Sequence, residues 1–305
     1  MQTSRILTML PIIAAGCFLN FALERNSFGQ GLNLDAVQIK TVPITDGVFV
    51  LMGGPAQGNI LVSTGPEGFF LVDSMYAPMH DKIMTALAKL GSGPVRYVVN
   101  THLHGDHTQG NAAMAALGAT VISHDNMRSR MQPGSTYPVD TLPALTYSDS
   151  ITLHFNGEEI EIFHPDPAHT DGDSIIYFHH ANVMHVGDVP ASVRYPNIGV
   201  DDGGTVTGMM AAGELVMQLA NADTRIIPGH LGPVTGFEEI REQLAMFRVV
   251  SGRIRDMIDK GMSLEQVLAA KPTAEFDAAR AAGAITAERF VTLVYTDLSR
   301  SGGAK

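Results

Sequence analysis

Short apolar runs separated by turn residues fill the first three quarters of the chain and predict a series of β-strands. Apolar and polar positions alternate over residues 37–52 on both sides of Asp46-Gly47, a pattern typical of a β-hairpin. Similar runs, bounded by Gly, Pro or charged residues, predict strands over residues 59–64, 68–73, 95–99, 120–123, 151–155, 159–163, 174–178, 183–186 and 225–227.

Apolar residues at helical spacing predict helices between and after these strands. The predicted helices cover residues 79–90, 111–117, 209–219, 237–257 and 264–300, the last interrupted near Pro272 and Gly283. Residues 130–147 are rich in Pro, Ser and Thr without a period, which indicates an irregular excursion over the surface. Because two blocks of strands each end in a helix, we expect two packed sheets with helices on the outer faces.

The composition is that of a globular protein with an acidic balance. The chain has 305 residues, 45% hydrophobic and 17% charged, which is enough for one large domain or two small ones. Its formal net charge is -11, and no block is rich in Lys and Arg. We therefore expect no nucleic-acid partner and no membrane partner for the mature chain. Nothing in the sequence indicates an oligomeric state.

The N-terminus has the pattern of a secretory signal peptide. A short polar start with Arg5 precedes a strongly apolar run over residues 6–22, and small residues follow at 27–30. An uncleaved membrane anchor is an alternative, because the run is near the short limit for spanning a bilayer. Lipidation is another, since residues 14–17 resemble a degenerate lipoprotein cleavage site. Cys17 is the only cysteine, so a periplasmic or secreted chain cut near residue 30 has no thiolate ligand.

The motif H-x-H-x-D-H at residues 102–107 is the strongest candidate for chemistry. It follows a predicted strand, and His102 and His104 project from the same face of an extended backbone because they are two residues apart. A glycine then allows a sharp turn, so that Asp106 and His107 can approach from another side. Two imidazoles suit a first zinc ion, and a carboxylate with a third imidazole suits a second.

Three later segments also place a possible metal ligand where a predicted strand ends. His169 lies in the run A-H-T-D-G-D-S, Asp188 in V-G-D and His230 in P-G-H. Strand ends at one edge of a sheet converge in space, and binding sites are commonly built there. The remaining histidines have no such spacing and are expected to be surface or structural residues: His80, His124, His154, His164, His179, His180 and His185.

These motifs, in this order, resemble the metallo-β-lactamase superfamily over residues 37–247. The resemblance implies an α/β fold, an αβ/βα four-layer sandwich with a dinuclear zinc site at one edge. We then expect a signal peptide over residues 1–30, a catalytic domain over 31–247, and a helical extension over 248–305 that packs on the same domain.

The resemblance also implies seven ligands for two zinc ions. They are His102, His104 and His169 for the first ion, Asp106, His107 and His230 for the second, and Asp188 as a bridge between the two. Asp73 falls where the family has a carboxylate that orients a ligand imidazole, and a simple turn residue at a strand end is the alternative for it.

The chemistry expected of such a site is hydrolysis. Two zinc ions that share a water lower its pKa toward neutrality, and the resulting metal-bound hydroxide attacks a carbonyl polarised by one of them. Asp106 is the candidate catalytic residue, since it would orient the hydroxide and pass a proton to the leaving group. The expected activity is a β-lactamase-like opening of an amide, lactam or lactone/ester carbonyl in a small-molecule substrate.

The substrate itself is less determined. Zinc β-lactamases that bind the second metal through Cys use a Lys three residues later, where this chain has Asp188 and Ala191. The Asp bridge is more similar to acyl-homoserine lactonases and to glyoxalase II thioesterases, although export argues against the latter. Arg194 is a candidate for the missing cation, and Tyr195 or Asn197 for a donor to a carbonyl oxygen. A surface Arg is the alternative for Arg194.

Two further classes of protein can be built on the same fold. An iron-dependent persulfide dioxygenase would use fewer of these ligands. A non-catalytic binding module with a vestigial site would have no reason to retain all seven.

Overall fold

The strands pair into two sheets in a computed structural model of the chain that describes residues 33–54, 58–132, 137–190, 194–280 and 283–302. The predicted signal peptide, membrane anchor and lipidation site lie outside the described residues. The strands are β1 (Lys40–Thr45), β2 (Val48–Met52), β3 (Ile60–Gly65), β4 (Gly68–Val72), β5 (Val95–Val99), β6 (Thr120–His124), β7 (Leu145–Tyr147), β8 (Ser150–Phe155), β9 (Glu158–Phe163), β10 (Ile175–Phe178), β11 (Val183–His185) and β12 (Arg225–Ile227). The α-helices are α1 (His80–Leu87), α2 (Gly105–Thr108), α3 (Asn111–Ala116), α4 (Asp125–Arg130), α5 (Val206–Leu219), α6 (Phe237–Asp259), α7 (Leu264–Ala269), α8 (Ala274–Arg280) and α9 (Ala287–Gly302).

The two sheets follow chain order closely. The first has seven strands in the order β1 to β7, and the second has five in the order β12-β11-β10-β9-β8. Strands β1 to β4 are antiparallel, whereas β4 to β7 run parallel. In the second sheet β11 and β12 are parallel and the other neighbours are antiparallel. Gly47, in the turn of the predicted hairpin, has a φ of 69°, which glycine adopts without strain.

The alternation of side chains along the strands builds a core between the sheets. In β4, Phe70 and Val72 point into this core, whereas Phe69 and Leu71 point to the outer face. Phe178 of β10 meets Phe70 edge-on across the gap, with ring centroids 5.5 Å apart. Both rings are fully buried, and burial of each side chain contributes about 1.5–3 kcal/mol.

Helices cover the outer face of each sheet. Helix α1 packs Ile83 and Leu87 against the first sheet. Helices α5, α6 and α9 cover the second sheet through buried side chains, among them Met209, Phe247 and Phe290. The layer order of helix, sheet, sheet and helix confirms the predicted four-layer α/β sandwich with additional C-terminal helices.

The structure adds detail that the hydrophobic pattern does not contain. The excursion at residues 130–147 holds β7 and a 3-10 turn at Val139–Thr141, each too short to show a period. Helix α5 begins at Val206, three residues earlier than predicted, because the Thr205 hydroxyl accepts a hydrogen bond from Gly208 N–H and caps the helix. Helix α6 runs continuously past residue 247, as the predicted helix over residues 237–257 implies, so the expected boundary between catalytic domain and helical extension falls inside one helix. No helix within the described ranges is long and apolar enough to cross a bilayer.

Five connections leave the strands at one edge of the sandwich. They follow β4, β5, β9, β11 and β12. Strands β4 and β5 are parallel neighbours, and β9, β11 and β12 share one direction in the second sheet. The loops at this edge carry the histidines and carboxylates singled out in the sequence.

Candidate metal centre

Three histidines form one half of the site, which we call the histidine half (His102, His104 and His169). The loop after β5 supplies the first two, with His104 on extended backbone ahead of α2, and the loop after β9 supplies His169. His104 Nδ1 and His169 Nε2 are 2.9 Å apart. One nitrogen of each ring lies within 4.8 Å of the others, which is an arrangement that three ligands of one cation require.

Asp106, His107 and His230 form the other half, which we call the mixed half. The one-turn helix α2 carries Asp106 and His107, and the loop after β12 supplies His230. His230 Nε2 is 3.1 Å from Asp106 Oδ2 and 3.2 Å from His107 Nε2. The three ligand atoms again lie within 4.8 Å of one another. This half therefore combines one carboxylate with two imidazoles.

Asp188 lies between the two halves. Its Oδ2 is 3.6 Å from His169 Nε2 and 3.3 Å from His230 Nε2. Gly229 leaves room for this carboxylate, because a Cβ there would lie 2.1 Å from Asp188 Oδ1, and Gly187 has a φ of 55°, which glycine adopts without strain. The glycine of V-G-D is thus explained by its backbone conformation, and the glycine of P-G-H by the lack of space for a side chain.

Buried acceptors hold the ring nitrogens that face away from the centre. Asp73, which follows β4, accepts a hydrogen bond from His107 Nδ1 at 2.7 Å. Its oxygens also accept from the N–H and the hydroxyl of Thr101, both at 2.8 Å, and the Thr101 hydroxyl is 3.0 Å from His102 Nδ1. Asp73 therefore lies at a strand end and also against a candidate ligand ring, where it orients His107.

Burial and charge act differently on the two halves. Burial lowers the pKa of His169 to about 4, against the opposing charge of Asp188, and burial lowers the pKa of His102 well below its usual value. Burial also opposes the charged form of His107, but the surrounding carboxylates, Asp106 foremost, outweigh it and raise its pKa to about 9. At neutral pH His102 and His169 are therefore uncharged, whereas the mixed half holds a proton on a ring.

The donor set fits a pair of divalent cations such as zinc. Five imidazoles and two carboxylates converge, and no thiolate takes part in the cluster. Within the part of the chain that the structure describes, His102 Nε2 and Asp188 Oδ1 are buried and have no hydrogen-bond partner. Buried polar atoms without a partner are rare and costly, and a cation at this place would satisfy both atoms.

Tyr195, predicted to contact a substrate, lies in the interior of the C-terminal helices. It is buried, its ring stacks on Phe290 with centroids 4.9 Å apart, and its hydroxyl donates to Asp277 Oδ1 at 2.7 Å. This placement does not fit the expected contact with a substrate carbonyl, because the Tyr195 hydroxyl already donates to Asp277 of helix α8.

The two other predicted substrate contacts are placed differently. Asn197 reaches the site through its main-chain carbonyl, which is 3.0 Å from His169 Nδ1, so its backbone holds a ring. Arg194 is half-buried and its side chain lies close to Gly283. Ala191, which stands three residues after Asp188, lies outside the described residues.

Most of the histidines without ligand spacing have protein partners, as expected of surface or structural residues: His124, His164, His179, His180 and His185. His185 is fully buried, with Nε2 3.3 Å from the carbonyl of Asn59, and its Nδ1 accepts from Gly187 N–H. His124 and His164 stack with ring centroids 3.7 Å apart. Both pairs of contacts support loops beside the site.

Two residues near the ligands were not predicted from the sequence motifs. Asp173 accepts hydrogen bonds from the main-chain N–H groups of His169 and Thr170, and burial raises its pKa to about 7. Its position at the end of T-D-G-D, a loop that turns back on itself, is a signal that could have identified it. Asp202, whose Oδ2 is 3.5 Å from His104 Nε2, comes from a distant segment without a motif.

Comparison with known proteins places this site in a family context. A family model described as the metallo-beta-lactamase superfamily matches residues 53–230. A curated relative, the 2,4-dinitroanisole O-demethylase subunit alpha of Nocardioides sp. (strain JS1661), is 26% identical over 161 residues, which are 52% of this chain and 46% of that protein. The match thus spans about half the length of that relative.

Two solved structures share the architecture. A metallo-beta-lactamase from Pontibacter korlensis superposes with a TM-score of 0.60 at 18% identity, over 69% of this chain and 99% of that one. The DIM-1 metallo-beta-lactamase gives a TM-score of 0.59 at 16% identity, over 69% of this chain and 97% of that one. At these identities the likeness concerns the fold.

Proposed function

This chain belongs to the metallo-beta-lactamase superfamily, and from that premise we propose that it is a dinuclear zinc hydrolase that opens an amide, lactam, lactone or ester carbonyl. One observation carries the proposal: five imidazoles and two carboxylates from separate loops bring their ligand atoms together at one edge of the sandwich. Structural ion-pair networks rarely need so many converging rings, and here acceptors also hold the outer nitrogens of His107 and His169.

The proposed ligands fall into two sets that correspond to the two halves of the site. The histidine half would hold the first ion, the mixed half the second, and Asp188 would bridge them. When bound, the metal pair supplies a nucleophilic hydroxide at neutral pH and polarises the substrate carbonyl. The chain itself keeps the rings oriented through Asp73, Thr101 and the carbonyl of Asn197.

Asp106 is the proposed proton carrier. Burial opposes ionisation of its carboxyl group, but the charges of His107 and His230 outweigh burial and lower its pKa to about 2. Its carboxylate is therefore ionised at neutral pH and can accept the proton of the attacking water. Because such a weak base holds a proton only briefly, Asp106 can pass it on to the leaving group.

Arg194 is the proposed substrate-binding cation. It follows the bridging carboxylate by six residues and lies on the segment that also presents the Asn197 carbonyl to His169. A guanidinium on this side would bind a substrate carboxylate through paired hydrogen bonds. No contact with substrate is proposed for Tyr195, whose hydroxyl donates to Asp277.

Other reactions of the same class are the alternatives. The Asp bridge fits a lactonase or thioesterase as well as a lactamase, and the curated relative adds 2,4-dinitroanisole to the compounds worth testing. An iron persulfide dioxygenase and a non-catalytic binding module would each leave some of the seven converging residues without a purpose.

We also propose export, from the apolar run at residues 6–22, which N-terminal sequencing of the mature protein would test.

The test combines metal content with turnover. Purified protein loaded with zinc should contain about two ions per chain and hydrolyse at least one of nitrocefin, an acyl-homoserine lactone or S-lactoylglutathione. 2,4-Dinitroanisole, an aryl ether without a carbonyl, is tested beside them as a separate class. The pattern of rates would select the substrate class. Less than one bound ion together with no turnover of any compound would instead favour the binding module.

A further inference from the structure

One segment, residues 197–206, is hydrogen-bonded to the loop that carries His169, and we call it the platform. The carbonyl of Asn197 accepts from His169 Nδ1 at 3.0 Å, and Gly199 N–H donates to the carbonyl of His169 at 2.8 Å. Thr205 N–H donates to the carbonyl of Ala168 at 2.8 Å. The main chain and the ring of His169 therefore both depend on where the platform lies.

The platform and the His169 loop are packed so closely that one backbone cannot move without displacing the other. A Cβ on Gly204 would lie 2.2 Å from the carbonyl oxygen of His169, so the two backbones touch directly. The Thr205 hydroxyl donates to the carbonyl of Pro167 at 2.8 Å. A displacement of the platform would therefore be transmitted to His169.

The platform also reaches the second ligand of the same half. Its turn at Val200–Asp202 places Asp202 Oδ2 3.5 Å from His104 Nε2, while His104 Nδ1 faces His169. The carbonyl of Asp202 accepts from Asp171 N–H at 3.0 Å, which ties the turn to the His169 loop. Two of the three rings of the histidine half thus rest on one segment.

Helix α9, at the end of the C-terminal extension, holds the platform at two points. Asp297, which is 5% exposed, accepts from Val206 N–H at 2.9 Å, at the point where the platform continues into α5. Arg300 donates to the carbonyl of Val200 at 3.1 Å and to Asp201 Oδ1 at 3.0 Å. A helix distant in sequence from every ligand is in this way bonded to the segment that supports two of them.

We propose that α9 sets the geometry of the histidine half, with Asp297 and Arg300 as positioning residues that act through the platform on His169 and His104. The inference rests on the proposed function, because it concerns the same metal site. It assigns to the C-terminal helices a role in metal binding beyond covering the second sheet. Asp297 carries the larger share, since its contact is buried, whereas the Arg300 to Asp201 pair is exposed to solvent.

The test compares three alanine variants of the full-length chain by metal affinity. Asp297→Ala should weaken zinc binding at the histidine half about tenfold, and Arg300→Ala about two- to threefold, because outer contacts tune metal affinity. Thr292→Ala is the matched control, because Thr292 lies on the same helix α9 and its hydroxyl donates to the carbonyl of Glu288 within that helix. Its affinity should stay within about twofold of the parent, the scale of a surface contact.

Two further readouts separate positioning from general stability. Asp297→Asn keeps an acceptor oxygen for Val206 N–H and should restore affinity. In cobalt-substituted protein, Asp297→Ala should change the visible absorption of the first-bound ion, which Thr292→Ala should leave unchanged. If all three alanine variants lower affinity equally, or none does, α9 does not position the site. A parent chain that binds no metal would instead overturn the proposed function, before any variant is compared.

Discussion

The two halves of the candidate metal centre use the same kinds of residue but hold their protons differently. In the histidine half, burial dominates, and the pKa of His169 falls to about 4. In the mixed half His107 is equally buried, yet its pKa rises to about 9, and that of His230 rises well above its usual value. The difference is the nearby carboxylate charge.

The comparison teaches that burial alone does not decide the charge of an imidazole. His107 lies between Asp73 on one nitrogen and Asp106 and Asp188 on the other side, so its protonated form is stabilised. A cation that binds the histidine half displaces no proton from His102 or His169 at neutral pH, whereas one that binds the mixed half must displace at least one. We therefore expect the histidine half to fill first.

The largest expected effect comes from deleting a ligand of the histidine half. His104→Ala should reduce hydrolysis at least about a thousand-fold, because a metal supplies several kcal/mol of transition-state stabilisation. His230→Ala should cost less, since one ion would remain in the histidine half. Steady-state rates and metal content of both variants test this. His179→Ala, which changes a histidine paired with Glu161 on the surface, is the control, and full activity of His104→Ala would count against the ligand assignment.

Asp73→Asn should separate the halves by affinity. The amide cannot accept from His107 Nδ1 and from Thr101 as the carboxylate does, so zinc affinity of the mixed half should fall about 10- to 100-fold, while that of the histidine half changes less. Metal titration against a competing chelator measures both steps. Asp149→Asn, at an exposed position, provides the control. Equal losses at both steps would remove the special role of Asp73 in the mixed half.

Acidification should empty the mixed half first. Zinc binds the neutral ring, and the pKa of His107 is raised to about 9, so each lower pH unit below that value should reduce affinity about tenfold for every proton displaced. The pKa of His169 is lowered to about 4, so protons do not compete with zinc for this ring above about pH 5, and affinity of the histidine half should depend less on pH than that of the mixed half. Metal content after dialysis against a weak chelator across this range decides the matter, and parallel loss of both ions would contradict it.

The smallest expected effect concerns the substrate rather than the metals. Arg194→Ala should raise KM roughly tenfold for substrates that bear a carboxylate and leave KM for neutral substrates nearly unchanged, because one charge-assisted contact is lost. Both metal affinities should stay at the parent values. Matched neutral and carboxylate substrates measured side by side provide the test. The same increase for both would remove Arg194 from the substrate site.

Local patterns in the sequence were enough for most of the fold. Strand β12 has the predicted bounds, and the hairpin of β1 and β2 turns where Asp46-Gly47 indicates. Such features depend on side-chain alternation and turn chemistry over a few residues. Short elements escaped prediction, as β7 shows, because three residues carry no period. Tyr195 was predicted from proximity in sequence, yet its surroundings are the distant C-terminal helices.

The sequence by itself determined the layers of the sandwich and the chemical identity of the candidate ligands, because residue type and local spacing are properties of the chain. The tertiary structure decided which of these groups face one another. It alone placed Asp73 against His107, and it alone joined Asp297 to the platform. The contrasting pKa values of the two halves arise from charges that are far apart in sequence and close in space, and no local pattern contains that distance.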